Sequence, residues 1–237
     1  MSDTAVSQSA PTPAAVPLAT RDYRDPAGLT QWLKVLLIAS FVGDLVAAGS
    51  GILELTFLQS LSNATVEGDI NGLADANDTR QQAIGAAQFA LYLVTAVVFL
   101  TWVHRANRNA RALGAKDMRF TPAWAVGWYF VPIMSLWRPF QAMREIWQAS
   151  VQPGNWQSVP TPPLVGWWWA LFLGAQFLAQ AGYQLSKDVD SVSGAMTAST
   201  LITISDFVYM PLDIVAMLLV TRIAAQQIWQ AKTVEVF

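Results

Sequence analysis

The chain has 237 residues, of which 54% are hydrophobic and only 13% charged, where a soluble domain has about a quarter of its residues charged. Its net charge of −2, with basic residues grouped at a few places, excludes a nucleic-acid-binding surface. With no cysteine and one histidine, His104, it has no disulfide, thiol nucleophile, iron–sulfur cluster or zinc site of several Cys and His ligands, and no cofactor or metal is expected.

Residues 1–27 are rich in Ala, Pro, Ser and Thr, lack a basic start followed by an apolar run, and read as a disordered tail. Residues 28–232 read as a single membrane domain. Four stretches within it, about 33–58, 83–104, 164–185 and 200–222, reach the roughly 20 apolar residues that a span requires. The expected fold class is all-α integral membrane. On the first span Gly43, Ala47 and Gly51 form a small-residue ridge, read as close packing within the bundle ahead of a dimer seam.

A fifth apolar stretch, residues 121–137, is short and interrupted by Gly127 and Pro132. The loop after the first span is acidic and goes outside; the loop after the second carries Arg105, Arg108, Arg111, Lys116 and Arg119 and goes inside. If residues 121–137 crossed, Arg138, Arg144, Arg222 and Lys232 would join Arg80 outside. If they turn back, only Arg80 and Lys187 lie outside, as the positive-inside rule prefers. All eleven tryptophans then fall in the cytoplasmic half or its rim, where indoles favour the interface. The expectation is therefore four transmembrane helices plus a broken re-entrant hairpin between spans two and three. Its re-entrant and amphipathic segment covers 119–150, on the cytoplasmic side with both termini. Thr121 to Phe130 should form the entering helix, which Pro132 ends. Beyond Pro139 a second helix carries Phe140, Met143, Ile146 and Trp147 on one face, either descending from the tip or lying along the inner surface.

Residues 99–114 (FLTWVHRANRNARALG), residues 119–150 (RFTPAWAVGWYFVPIMSLWRPFQAMREIWQAS) and the LVGWWWAL run from Leu164 together resemble the bacterial membrane family filed as domain of unknown function 4328. The likeness covers roughly residues 30–230. It implies a bacterial inner-membrane setting and brings no catalytic or binding residues with it.

Four acids lie within spans: Asp44 and Glu54 in the first, Asp206 and Asp213 in the last. A carboxylate at the bilayer centre costs on the order of 3 kcal/mol, so such groups face the interior and find partners. Counting along the helices pairs Asp44 with Asp213 near the centre and Glu54 with Asp206 further out. Gln176, Gln180 and Gln184 form a ridge on the third span, and Gln88 lies on the second. Together these suggest a polar pocket open to the outside; plain interhelical hydrogen bonding is the alternative. Arg138 is the candidate base to pair with Asp44 or Asp213, unless it snorkels to the interface. Without a base, the carboxyls would share a proton or bind a cation. Arg105 and Arg108, adjacent on one face, are candidate contacts for anionic lipid, unless they serve only as a topological anchor. Gly114 should end the second helix.

The function expected first is a non-enzymatic binding, regulatory or accessory subunit that sits in the lipid bilayer and meets another membrane protein through its cytoplasmic Trp/Arg face. The second is a small proton- or cation-coupled transporter or channel using the intramembrane carboxylates. A lipid-modifying enzyme is least favoured, because no nucleophile–base pair is recognisable.

Overall fold

The computed structural model describes residues 22–63, 65, 68–187 and 189–235. The tail expected over 1–27 lies outside the described residues up to position 21. Asp22–Pro26, however, is held in place: Arg24 N donates to Asn109 Oδ1 at 3.1 Å, and Asn109 Nδ2 donates to Arg24 O at 2.8 Å.

The regular elements among the described residues are helical: α1 (Ala27–Ser62), α2 (Ile70–Ala112), α3 (Pro122–Gly127), α4 (Arg138–Val151), α5 (Pro163–Ser186) and α6 (Val192–Glu235). Of these, α1, α2, α5 and α6 are long and apolar enough to cross a membrane. The chain is a multi-span membrane protein. α2 and α6 overrun their expected spans furthest. α2 begins at Ile70 because Asp69 caps it, its carboxyl accepting from Gly72 N at 3.1 Å, so much of the acidic stretch taken for loop is helix. α6 runs unbroken for 44 residues through Pro211. α2 closes where Gly114 was expected to close it. Gly114 takes φ +102°, its N–H reaches Arg111 O, and Ala115 N reaches Ala110 O, a Schellman motif that a Cβ would strain.

α6 packs along both α1 and α5, and α1 also packs along α2. The small-residue ridge of α1 is spent inside the bundle: Ala47 is buried, Gly51 abuts Thr203 of α6, and Gly43 faces Leu91 of α2. The α5–α6 seam is tighter still. A Cβ on Gly182 would lie 3.0 Å from Ala198 O and 3.1 Å from Ile202 N, which are backbone atoms that cannot rotate away.

One end of the bundle gathers the starts of α1 and α5, the ends of α2 and α6, and both short helices. Trp102 Nε1 of α2 donates to Thr30 Oγ1 of α1 at 2.9 Å there, and Gln227 of α6 ties to α2 and α4. All eleven tryptophans lie in these terminal turns, in α3 and α4, or in the loops around them. Phe99, Trp168, Trp169, Phe172 and Tyr129 form a contiguous aromatic cluster between α2 and α5, with ring centroids 5.1–6.5 Å apart.

The entering helix is shorter than expected. α3 stops at Gly127, not Phe130, and the next amides, Tyr129 and Phe130, bond three residues back to Val126 and Gly127. The aromatic and β-branched run before Pro132 has low helix propensity, and a residue preceding proline avoids the helical region. At the tip, Ile133 takes φ +66°, ψ −53°, and Met134 N bonds Pro132 O at 2.7 Å, a strained γ-turn for a β-branched side chain. α4 then packs its buried face, including Ala142, Met143, Ile146 and Ala149, against α2 and α6.

Gly182→Val should destabilise the purified protein by about 1–3 kcal/mol through overpacking at the α5–α6 seam. A clear drop in detergent unfolding temperature checks this; an unchanged temperature would mean that the seam is looser than drawn.

Candidate functional site

Two polar regions stand out, one along the spans and one at the aromatic end. In the first, Gln88 of α2 reaches between α1 and α6, its Nε2 donating to Asp44 Oδ1 at 3.2 Å and to Asp206 Oδ1 at 3.3 Å. Asp213, two turns beyond Asp206 on the same helix face, meets Asp44 side chain to side chain. Asp206 and Asp213 are only 7% and 8% exposed, and Asp213 Oδ2 is buried with no hydrogen-bond partner. Beside them Tyr209 donates to Gln176 Oε1 at 3.0 Å, and Gln176 Nε2 donates to Tyr92 at 3.2 Å. Side chains from all four long helices thus meet around three carboxyls.

The expected tiers change here. Asp206 belongs with Asp44 and Asp213, because the Gln88 amide spans the gap that helix counting had assigned to Glu54. Glu54 has a separate set: it accepts from Gln81 Nε2 and, at 3.0 Å, from Ser199 Oγ. Arg80, expected in the outer loop, lies on α2 beside this set and donates to Ser50 Oγ at 3.0 Å and Asn77 Oδ1 at 2.6 Å. Gln180 and Gln184 are exposed on α5, and among the described residues neither has a bond to the acids. Of that glutamine ridge only Gln176 joins the network.

The proposed pairing of Arg138 with Asp44 or Asp213 is overturned. Arg138 Nη1 donates to Gln141 Oε1 at 3.3 Å, and its guanidinium lies 5.4 Å from the Trp128 ring centroid and 6.0 Å from that of Phe120. The reason is the break itself. The turn at the tip delivers Arg138 to the start of α4, at the aromatic end, away from the carboxyls of the spans. Among the described residues no three His, Cys, Asp or Glu side chains are placed to hold a metal ion.

The second region contains two adjoining clefts. One, of about 230 Å³, is lined by Arg119, Phe120, Gln141, Arg144, Glu145, Gln148 and Trp156. The other, of about 170 Å³, is lined by Arg119, Phe120, Thr121, Trp124, Trp128 and Arg138. Neither is lined by the acids of the spans. Glu145 is buried and caps the loop before α3, accepting from Arg119 N and, at 3.1 Å, from Phe120 N. Burial pushes its carboxyl above the usual carboxylate range, while those two amides and the Arg111 and Arg119 charges pull it back.

Glu145, Asn107, Asn109, Arg111, Ser150 and Gln227 were not singled out from the sequence. Arg111 donates to Met118 O and Phe120 O at 3.0 and 2.9 Å, and Asn107 Nδ2 donates to Phe120 O at 3.0 Å. The available signal was polar residues spaced at i, i+2 and i+4 just past a span, which a charge count treats as one basic run. Of the two candidate lipid contacts, Arg108 forms an exposed ion pair with Asp22 at 2.9 Å, and Arg105 is half-buried.

A family model described as a domain of unknown function (DUF4328) matches residues 70–225, which is more than half of the chain. The chain belongs to the DUF4328 family. The match runs from the start of α2 into the last turns of α6, taking in both clefts and leaving out α1. No curated protein and no solved structure matches. Membership in DUF4328 therefore adds no activity to what the geometry shows.

Gln88→Leu removes the donor that Asp44 and Asp206 share and should cost about 1–3 kcal/mol. Adding Asp206→Asn should recover part of that loss. Unfolding temperatures of the single and double variants check this, and equal stability of Gln88→Leu and the parent would show the bridge to be idle.

Proposed function

We propose that this DUF4328 protein is a non-enzymatic binding, regulatory or accessory subunit of the bacterial inner membrane, working through its cytoplasmic arginine–aromatic end. The observation that carries this is the placement of both clefts there, lined by Arg119, Arg138 and Arg144, none of which has a carboxylate in ion-pair range among the described residues. Three cations around open space are a feature for an external anion, not for internal stability. No nucleophile–base pair accompanies them, so binding is favoured over chemistry.

Orientation rests on the positive-inside rule applied to this end. The tip is a re-entrant hairpin dipping into the inner leaflet. Phe130 and Ile133, 71% and 69% exposed, support this, since lipid is the solvent in which such side chains are not a liability. The missing cysteines allow a clean test. Single Cys residues at Asn71 and Ser191 should react with an impermeant thiol reagent on intact cells, and one at Asn155 should not. Labelling at Asn155 would turn the topology over.

The buried carboxyls favour a second function, coupling to a proton or cation. Among the described residues Asp44, Asp206 and Asp213 meet with no base in ion-pair range, and close carboxyls hold a proton or a cation between them. One preparation separates the two. In mild detergent, an accessory subunit should carry a stoichiometric protein partner that Arg119→Glu with Arg144→Glu releases. A lone, monodisperse protein whose proteoliposomes pass protons or cations, with the flux lost in Asp44→Asn and Asp213→Asn, would establish coupling and remove the accessory role.

A further inference from the structure

We propose that the adjoining clefts beside the loop before α3 and the start of α4 bind the phosphate of an anionic phospholipid headgroup, held by Arg119, Arg138 and Arg144. This rests on the binding role given to the arginine–aromatic end and names its ligand class.

Arg119 and Phe120 line both clefts, so the two adjoin at these residues. The larger, of about 230 Å³, has room for a phosphate with a small glycerol-type substituent. Arg138 is fixed from below by the faces of Trp128 and Phe120 and by Gln141, which orients the guanidinium while leaving its charge uncompensated. Its Nε is buried and has no hydrogen-bond partner among the described residues, so no internal acceptor engages that side of the guanidinium. Arginine forks match phosphate oxygens in geometry as well as charge. Glu145 is the one carboxylate on the lining, and both of its oxygens are already engaged by the Arg119 and Phe120 amides.

A soluble phosphate would need only the charge. The smaller cleft has a second property, an apolar edge: Trp124 lines it and is exposed, and the segment that links Trp124 to Arg138 carries the exposed Phe130 and Ile133. A headgroup in the cleft and an acyl chain along that edge would satisfy both at once. Anionic lipids also concentrate at the leaflet where basic residues collect. This site is distinct from Arg105 and Arg108, which line neither cleft.

The test uses the full-length protein in mild detergent, with phosphatidylglycerol, phosphatidylcholine and glycerol 3-phosphate as probes. Binding is read by native mass spectrometry and by the lipid-dependent shift in unfolding temperature. The parent should retain phosphatidylglycerol in preference to phosphatidylcholine. Arg119→Gln with Arg144→Gln should weaken phosphatidylglycerol binding about tenfold or more, whereas Arg105→Gln with Arg108→Gln should change it by less than about twofold. Arg138→Lys keeps the charge but loses the fork, and should fall between them. Equal losses in the two double variants, or no headgroup preference in the parent, overturn the site. Competition by glycerol 3-phosphate at the concentrations at which the lipid binds assigns it to soluble phosphates and overturns the lipid. Should the cleft variant fail to fold, headgroup preference and competition in the parent decide alone. Loss of the lipid site with a stoichiometric protein partner still bound to the cleft would leave the accessory role standing; loss of that partner with the lipid retained would do the reverse.

Discussion

The packing of the aromatic end of the molecule depends on one buried amide. Gln227, with no exposed surface, donates from Nε2 to Ala106 O at 2.8 Å and to Ser150 Oγ at 2.9 Å, and accepts from Asn109 Nδ2 at 3.1 Å. Asn109 in turn holds the backbone of Arg24. α2, α4, α6 and the entry to α1 are therefore locked by a single connected network. Unpaired buried amides are costly, so the network is satisfied together or not at all. A hydrophobic contact could press α4 onto the bundle at many angles. This network admits very few, and it is what sets Arg144 and Glu145 against the loop carrying Arg119 and Phe120.

The positions of the spans were legible because lipid excludes charge over a fixed thickness, a constraint that acts residue by residue along the chain. The ends of the helices were not, because they lie in water or in protein, where hydropathy carries no information. α2 reaches back to Ile70 on the strength of the Asp69 cap, and α6 continues past residue 222 because Gln227 and Gln230 find partners on α4. The broken segment was legible from Gly127, Pro132 and the basic residues beyond it, yet its entering helix was drawn too long. Proline marks where a helix must have ended, while the aromatic run before it decides where the helix does end.

The candidate site divides along the same line. Asp44, Asp213, Gln88 and Gln176 were found because a polar side chain within a span is costly and must have a neighbour. Which neighbour it has depends on helix register and side-chain reach, and neither is written in the hydropathy. Asp206 was therefore matched with Glu54 by depth, when the length of the Gln88 side chain joins it to Asp44. Arg138 was matched with the acids by charge alone. Its aromatic neighbours, Trp128 and Phe120, offered a face for the guanidinium without moving α4 along the bundle.

The two polar regions also differ in what surrounds them, and that difference bears on function. The carboxyls of the spans are packed between helices, with Asp206 and Asp213 nearly fully buried, so any ion they hold must be small enough to arrive without reshaping the bundle. The arginines of the far end border open clefts, and the segment that leads into Arg138 holds the strained turn at Ile133. A chain under no demand there would relax that turn with glycine and fill the clefts with side chains. Uncompensated charge around open space argues for an anionic occupant at that end, while the exposed Phe130 and Ile133 require only the surrounding lipid.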